Sequence, residues 1–137
     1  MSEQPLLRFE ERGAITIGSI DAASVLDALN VTQFGKEVME YATAHPGLNL
    51  LLDFQRVQYL SSTVLTELLR INQLCKDSGG AMRLCGLNKD IQRVFEITNL
   101  DKMFTMYGAL DDAVLRYARS LTIQAEEQAW SHLTKDA

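Results

Sequence analysis

The feature that most constrains the fold is a nearly unbroken apolar run near the middle of the chain, Leu48–Phe54. A run of strand length that is apolar on both faces is typical of a central strand that is covered on both sides. A polar connector, Gln55–Leu60, follows it, and an amphipathic helical pattern then extends from Ser61–Thr63 to the stop at Ser78–Gly80. The next short apolar segment is Ala81–Cys85. Strand, helix and strand in this order predict a parallel βαβ unit.

Near the N-terminus, two segments alternate apolar and polar residues. They are Leu7–Glu10 and Ala14–Ile17, and the turn between them contains Gly13, where a positive φ is expected. This pattern predicts a β-hairpin. We expect the next residues, Gly18–Asp21, to leave the sheet and to begin a polar connection.

A helical pattern over Val31–Ala44 follows this connection, with its apolar residues at a spacing of 3.6. Asn30 and Gln33 are predicted to form a capping pair at its start. His45–Gly47 ends the helix, because proline and glycine do not continue a helix cheaply.

The last third of the chain predicts two helices and one edge strand. Asn88 caps a helix over Lys89–Thr98, and Lys102–Met106 is expected to form the edge strand. The acidic pair at Asp111 begins the final helix, since acids suit the positive end of a helix. The inward positions of these two helices are Ile91, Val94, Phe95, Thr98, Val114, Tyr117 and Leu121.

The predicted fold class is therefore α/β, a mixed sheet with an N-terminal hairpin and then parallel strands, and about four helices mainly on one face. A chain of 137 residues with 47% hydrophobic content has the size and apolar content of one domain. We assign residues 1–120 to this domain. Residues 121–137 are more polar, and we interpret them as an extension that continues the last helix or frays.

The composition excludes several classes of function. A net charge of −5 argues against a nucleic-acid partner, which is held by neutralising phosphates. No apolar run approaches the roughly 20 residues that cross a bilayer, and residues 1–5 do not look like a signal peptide. Cys75 and Cys85 fall in predicted core elements, so we expect both to be reduced. These features together indicate a cytoplasmic protein.

Neither a metal site nor a catalytic site is predicted. The two histidines, His45 and His132, have no ligand residue at metal-binding spacing, and neither lies in a predicted core where an acid could orient it. Gly79-Gly80 lacks the pattern and the lysine of a phosphate-binding loop. We therefore expect a protein that is not an enzyme and has no cofactor.

The three hydroxyl residues Ser61–Thr63 have two interpretations. In the simpler one they only cap the helix, because a side-chain oxygen can accept a hydrogen bond from a first-turn N–H group. In the other they form a site for phosphorylation on an exposed helix end. The pattern by itself favours capping.

The order of elements and four short motifs resemble the STAS domain of bacterial anti-sigma factor antagonists. Gly18–Asp21 matches G-x-[LI]-D, and Val57–Leu65 lies over a motif of the form hydrophobic-x-[FY]-hydrophobic-D-S-S-G-L. Gly79–Cys85 is similar to the G-G-x-hydrophobic segment of the family, and Ile91–Leu100 is similar to its next helix. The resemblance covers Leu7–Ala118.

In this family the first serine of D-S-S-G is phosphorylated by a serine kinase that is also an anti-sigma factor. The resemblance implies that Ser62 is the phosphoacceptor, with Ser61 and Thr63 as alternates, and that the unphosphorylated chain binds the kinase and frees the sigma factor. A serine phosphatase is a further implied partner. This sequence has Ser61 in place of the family aspartate and Thr63-Val64 in place of Ser-Gly. The implied partner-binding residues are Gly18, Asp21, Tyr59, Ser61, Ser62, Thr63 and Val64.

Two alternatives stay open. The alternative to an anti-sigma factor antagonist is that the domain is an unphosphorylated structural or docking subunit of a transporter or sensor complex. For Trp130 and Leu133 in the last segment, one interpretation is packing against the domain, and the other is a homodimer contact.

Overall fold

The computed structural model describes the backbone of residues 4–135 and the side chains of residues 4–131. The chain alternates strands and helices after an N-terminal hairpin. In chain order the elements are β1 Leu7–Arg12, β2 Ile15–Ile20, β3 Val25–Leu26, α1 Val31–Ala44, β4 Asn49–Asp53, β5 Tyr59–Leu60, α2 Ser62–Asp77, β6 Ala81–Cys85, α3 Lys89–Ile97, a 3-10 turn Leu100–Lys102, β7 Met106–Tyr107 and α4 Leu110–Lys135.

The main sheet has five strands in the order β1-β2-β4-β6-β7. β1 and β2 are antiparallel, and every other neighbouring pair is parallel. The apolar run predicted as the central strand is β4, where Leu51 pairs with Ile17 on one side and Arg83 on the other. The predicted βαβ unit is β4-α2-β6.

The two faces of the sheet are covered differently. Alternate residues of β4 point to opposite faces, so Leu50 and Leu52 join a large core that α1, α2 and α3 complete. Leu51 faces the other way and packs in a smaller cluster with Tyr117 of α4. The predicted arrangement is confirmed, with three helices on one face and α4 on the other.

Several local predictions are confirmed. α1 has the predicted bounds, and Asn88 caps α3 by accepting a hydrogen bond from the Ile91 N–H at 2.8 Å. Gly13 has φ +62° in the hairpin turn, as expected for a residue in the left-handed region. Both cysteines are buried and free.

The sequence pattern missed a second sheet. β3 and β5 form a parallel pair in which Val25 lies opposite Tyr59 and Leu26 opposite Leu60. The N–H of Gln58 donates to the carbonyl oxygen of Ser24 at 2.7 Å, just before this pair. Both strands lie in segments predicted as polar connections, because two residues are too few to show a period.

Two predictions around the start of α1 are wrong. The chain does not leave the sheet at Gly18, because β2 continues to Ile20 and pairs with β1 on one side and β4 on the other. Asn30 does not form a capping pair with Gln33. Its side chain accepts from the N–H of Asp27 and donates to Val25, and it makes no side-chain cap bond to α1.

The bounds of the predicted edge strand, Lys102–Met106, are also wrong. The chain makes a 3-10 turn after Asn99, which has φ +60°, and the edge strand is instead β7. Phe104 explains the difference, because its ring turns into the core and meets Phe95 edge-on at 5.8 Å. Thr98 is exposed rather than inward, and its hydroxyl donates to the Val94 carbonyl oxygen.

α4 continues beyond the domain surface. Residues 122–131 of α4 are exposed, including Ile123 and Trp130, whereas the side chains of His132 and Leu133 lie outside the described residues. Within the described chain, no helix combines the length and apolarity needed to cross a membrane. Residues 4–131 contain no cluster of metal-ligating side chains.

Candidate functional site

The hydroxyl residues Ser61–Thr63 lie at the N-terminus of α2, as predicted. Ser61 is the residue before the first turn, with extended backbone at φ −91° and ψ 168°. Its N–H donates to the Leu26 carbonyl oxygen at 2.9 Å, which fixes the start of the helix against β3. Ser62 and Thr63 are exposed, and Ser61 is half-buried. The next residue, Val64, is buried and anchors the turn to the core.

The hydroxyl groups do not cap the helix. Ser61 Oγ and Thr63 Oγ1 share a hydrogen bond of 2.6 Å, and neither accepts from a first-turn N–H group. The capping expected for these side chains is therefore wrong, because the two oxygens satisfy each other instead. Ser62 is left as the exposed hydroxyl of the three that has no hydrogen bond to the described chain.

The partial positive charge at the N-terminus of α2 is not neutralised by an acidic side chain of its first turn. The first turn of α2 carries no acidic residue, whereas α3 has Asp90 and α4 has Asp111 and Asp112 in the first turn. A helix N-terminus carries a partial positive charge and N–H groups without intrahelical partners. The start of α2 is therefore suited to accept an anion.

Three exposed apolar side chains lie in β5, which leads into α2, in β3, which pairs with β5, and in the turn after β3. Tyr59 is 57% exposed and pairs with Val25, which is 40% exposed, and Leu29 is 94% exposed. We call these three residues the apolar rim. Large apolar side chains that are exposed together mark an interaction surface more often than isolated ones do.

The turn that carries Leu29 is tied down by side chains. Asp27 Oδ1 accepts from the Leu29 N–H at 2.9 Å, and Asn30 bridges Asp27 and Val25 with both ends of its amide. These bonds hold the backbone on either side of Leu29. The exposed position of Leu29 is thus built into the turn.

The structure brings some of the predicted partner-binding residues to this surface and not others. Tyr59, Ser62 and Thr63 are exposed, whereas Gly18 and Val64 are buried. A Cβ on Gly18 would lie 3.0 Å from Leu52 Cδ2, so the glycine serves the packing of β2 on β4. Neither buried residue can contact a docked protein directly in this conformation.

Asp21 lies just after β2 and is bound to β1. Its Oδ2 accepts a hydrogen bond of 2.8 Å from Arg8 Nε. This bond and the charge of Asp21 raise the pKa of the Arg8 guanidinium. Asp21 therefore helps to fix the edge of the sheet.

Sequence reasoning missed two members of the apolar rim, Val25 and Leu29. The available signal was weak, since they are apolar residues within a stretch that otherwise shows no periodicity. Only the pairing of β3 with β5 shows that Val25 lies beside Tyr59.

Comparison with known proteins gives one family. The STAS domain family model matches residues 8–113, most of the chain. An anti-sigma-factor antagonist (STAS) domain protein from Planctomyces limnophilus has a TM-score of 0.76 at 20% identity, over 82% of this chain and 97% of that one.

Two further structures share the fold. The Bacillus cell fate determinant SpoIIAA in its phosphorylated form has a TM-score of 0.61 at 17% identity, over 80% of this chain and 97% of that one. The murine Solute Carrier 26 family member A9 anion transporter has a TM-score of 0.68 at 16% identity. The match covers 80% of this chain and 18% of the transporter.

Proposed function

This chain belongs to the STAS domain family, and from this premise we propose that it is an anti-sigma factor antagonist that works by partner switching. The unphosphorylated chain binds an anti-sigma factor that is also a serine kinase, and phosphorylation of Ser62 releases it. A serine phosphatase restores the binding form. These steps are proposed to take place in the cytoplasm. The similarity in fold to a protein described as an anti-sigma-factor antagonist supports this role.

The main support for the proposal is that the Ser62 hydroxyl is exposed and makes no hydrogen bond within the described chain. It is exposed in the first turn of α2 and has no hydrogen bond to the described chain, while Ser61 and Thr63 are bonded to each other. A kinase can reach this oxygen without breaking a bond within the domain. For this reason we favour Ser62 over Ser61 and Thr63 as the acceptor.

A phosphate on Ser62 should leave the domain folded. Phosphoserine brings about −1.5 to −2 charges. The helix end favours a nearby negative charge by roughly 0.3–1 kcal/mol, and the first turn of α2 has no acid to repel it. The group can also accept from first-turn N–H groups. Phosphorylation therefore acts on the surface and not on the fold.

The same phosphate should oppose a docked partner. A buried phosphate loses its water, and any acid of the partner nearby repels it. At an effective dielectric constant near 20, two charges 4 Å apart repel by about 4 kcal/mol. Since each 1.4 kcal/mol is tenfold in affinity, one such pair lowers the affinity about a thousandfold.

The apolar rim supplies the attractive part of the proposed interface. Tyr59 is two residues before Ser61, so a protein that covers the start of α2 also covers its ring. Tyrosine is enriched among the residues that dominate binding energy at interfaces. We propose that Val25, Leu29 and Tyr59 contact the partner together with the hydroxyl residues.

Mass spectrometry of the protein isolated from its native cells tests the proposal. We expect phosphate on Ser62 in a fraction of the chains, and a bait of the unmodified chain should capture a protein with a serine kinase domain. Absence of phosphate from Ser61, Ser62 and Thr63 under all growth conditions would contradict the switch.

A docking subunit without phosphorylation is the second candidate function. The similarity in fold to part of an anion transporter supports it. In this case the α2 surface is a permanent contact, and Ser62→Ala has no effect on assembly. The captured partner then is a membrane or sensor protein without a kinase domain.

We also propose that the exposed end of α4 forms a homodimer contact. Ile123 and Trp130 are exposed on this segment, and large apolar side chains exposed on one surface are typical of an interaction site. A chain that ends at Thr122 keeps the contact of Ser120 with Arg83. Sedimentation should show a dimer for the full chain and a monomer for the shortened one, and equal mass states would contradict the contact.

A further inference from the structure

A polar pocket opens at the ends of β2 and β4, on the face of the sheet that α4 covers. Its volume is about 230 Å³. Ligands of open α/β sheets commonly bind at the carboxyl ends of the parallel strands. The pocket is lined by Arg8, Ser19, Ile20, Asp21, Asp53, Gln55, Arg56 and Leu110.

Two of the four charges in the pocket neutralise each other. Arg8 and Asp21 form an ion pair at 2.8 Å. The other two, Asp53 and Arg56, line the same pocket, but neither forms an ion pair with a described residue. The pocket therefore presents one unpaired positive group and one unpaired negative group.

Asp53 is the more unusual of the two because it is only 8% exposed. Its Oδ1 accepts from the Gln55 N–H at 3.0 Å, and the backbone of Gly86 leaves room for this oxygen, since a Cβ there would lie 2.7 Å from it. The Cys85 thiol is a second neutral hydrogen-bond partner of Asp53. Neutral donors alone do not balance a buried carboxylate, and buried charges are generally paired with an opposite charge. A cationic group of a ligand would balance it.

Arg56 is exposed and follows Asp53 by three residues. Its guanidinium group offers five N–H donors in a planar fork that suits a carboxylate. Because Arg56 and Asp53 do not bind each other, a molecule between them can use both charges. Leu110 adds an apolar wall.

We propose that this pocket binds a small zwitterion, and a free α-amino acid is the simplest ligand of this kind. The ammonium group of the ligand donates to Asp53, and its carboxylate accepts from Arg56. The volume of about 230 Å³ admits a single amino acid, whose side chain contacts Leu110. This site is separate from the Ser62 switch, and its occupancy does not depend on the proposed partner.

Titration of the full-length ¹⁵N-labelled protein tests the site, with L-alanine as the probe. The amide signals of Gln55 and Ile20 should shift and saturate. L-lactate replaces the ammonium group by a hydroxyl, and L-alaninamide removes the carboxylate charge. Each should bind at least about tenfold more weakly, since each loses a charged hydrogen bond. Absence of a saturable shift, or equal binding of L-lactate and L-alanine, overturns the proposal.

Variants connect the binding to the two unpaired charges. Arg56→Gln should weaken L-alanine binding at least about tenfold. Arg93→Gln is the control, because Arg93 is exposed on α3 away from the pocket, and it should leave the affinity unchanged. Asp53→Asn keeps an acceptor for the Gln55 N–H and should remove the preference for L-alanine over L-lactate. Equal affinity of Arg56→Gln and the unaltered chain overturns the assignment.

Discussion

The side-chain amide of Asn88 donates a hydrogen bond of 3.1 Å to the carbonyl oxygen of Gln58, 30 residues earlier in the chain. The other end of the same amide caps α3 at the Ile91 N–H. Asn88 thus joins the start of α3 to the connector that leads to Tyr59 and the hydroxyl residues.

Removal of the Asn88 amide should lower the stability of the domain, because the hydrogen bonds to Gln58 and to the Ile91 N–H are both lost. We expect Asn88→Ala to cost about 1–2 kcal/mol in the free energy of unfolding, from the lost cap and the lost bond to Gln58. Asn88→Ser keeps a cap oxygen and should cost about half as much. Urea denaturation measures both, and a stability of Asn88→Ala equal to that of the unaltered chain would refute the role of this amide.

Charge at Ser62 should control partner binding. Ser62→Ala should bind the partner captured by the unmodified chain at full affinity, and Ser62→Asp should bind it about tenfold more weakly or worse, because a buried charge is repelled and desolvated. Thr122→Asp adds the same charge on the exposed part of α4 and serves as the control. Surface plasmon resonance measures the three affinities. Equal values for Ser62→Ala and Ser62→Asp would count against the switch.

Substitutions in the apolar rim should weaken the binding of the partner and leave the fold intact. Leu29→Asp and Tyr59→Ala each should lower partner affinity about tenfold, since an interface loses apolar contact at both positions. Their unfolding free energies should stay within about 0.5 kcal/mol, as is usual for surface changes. Leu115→Asp, at a residue 68% exposed on α4, is the matched control. If it weakens binding as much as Leu29→Asp, the interface lies elsewhere.

Gly80 should be intolerant of a side chain because of close backbone contact. A Cβ there would collide with the Leu48 carbonyl group. We expect Gly80→Ala to destabilise the protein by about 1–3 kcal/mol, the range for overpacked sites. At Gly108 a Cβ would meet nothing within 4 Å, so Gly108→Ala should change stability by less than about 1 kcal/mol. Thermal denaturation of the two variants gives the comparison, and equal midpoints would be inconsistent with the packing.

The buried thiols should make stability fall at alkaline pH. Burial raises the pKa of Cys75 to about 11, and burial with the nearby Asp53 charge raises the pKa of Cys85 to about 12. The unfolded thiols lose their protons near pH 9, before the folded ones, so their contribution is complete below pH 9 and declines above it. The decline is at most about 1.4 kcal/mol per pH unit for each thiol.

Urea denaturation between pH 8 and pH 11 measures this slope. Cys75→Ala removes one of the two thiols and should make the decline shallower, whatever its effect on stability at neutral pH. The same slope in both proteins would show that Cys75 does not contribute.

The sequence by itself determined the elements whose burial repeats with a period. The apolar run became β4, the 3.6 spacing gave α1 its bounds, and Ser61 was found at the helix start. These patterns are local, because each strand or helix must bury one face or both, and its own residues record which. Ser62 was predicted as the phosphoacceptor from its position in a motif, and its phosphorylation stays a prediction.

Only the tertiary structure decided what depends on residues far apart in the chain. The pairing of Val25 with Tyr59 involves strands of two residues, which have no period to read. Asn30 could have capped α1, but tertiary contacts gave its amide better partners in the preceding turn. The pocket draws on β1, β2, the end of β4 and the start of α4, so no local pattern could assemble Asp53 and Arg56 around one space.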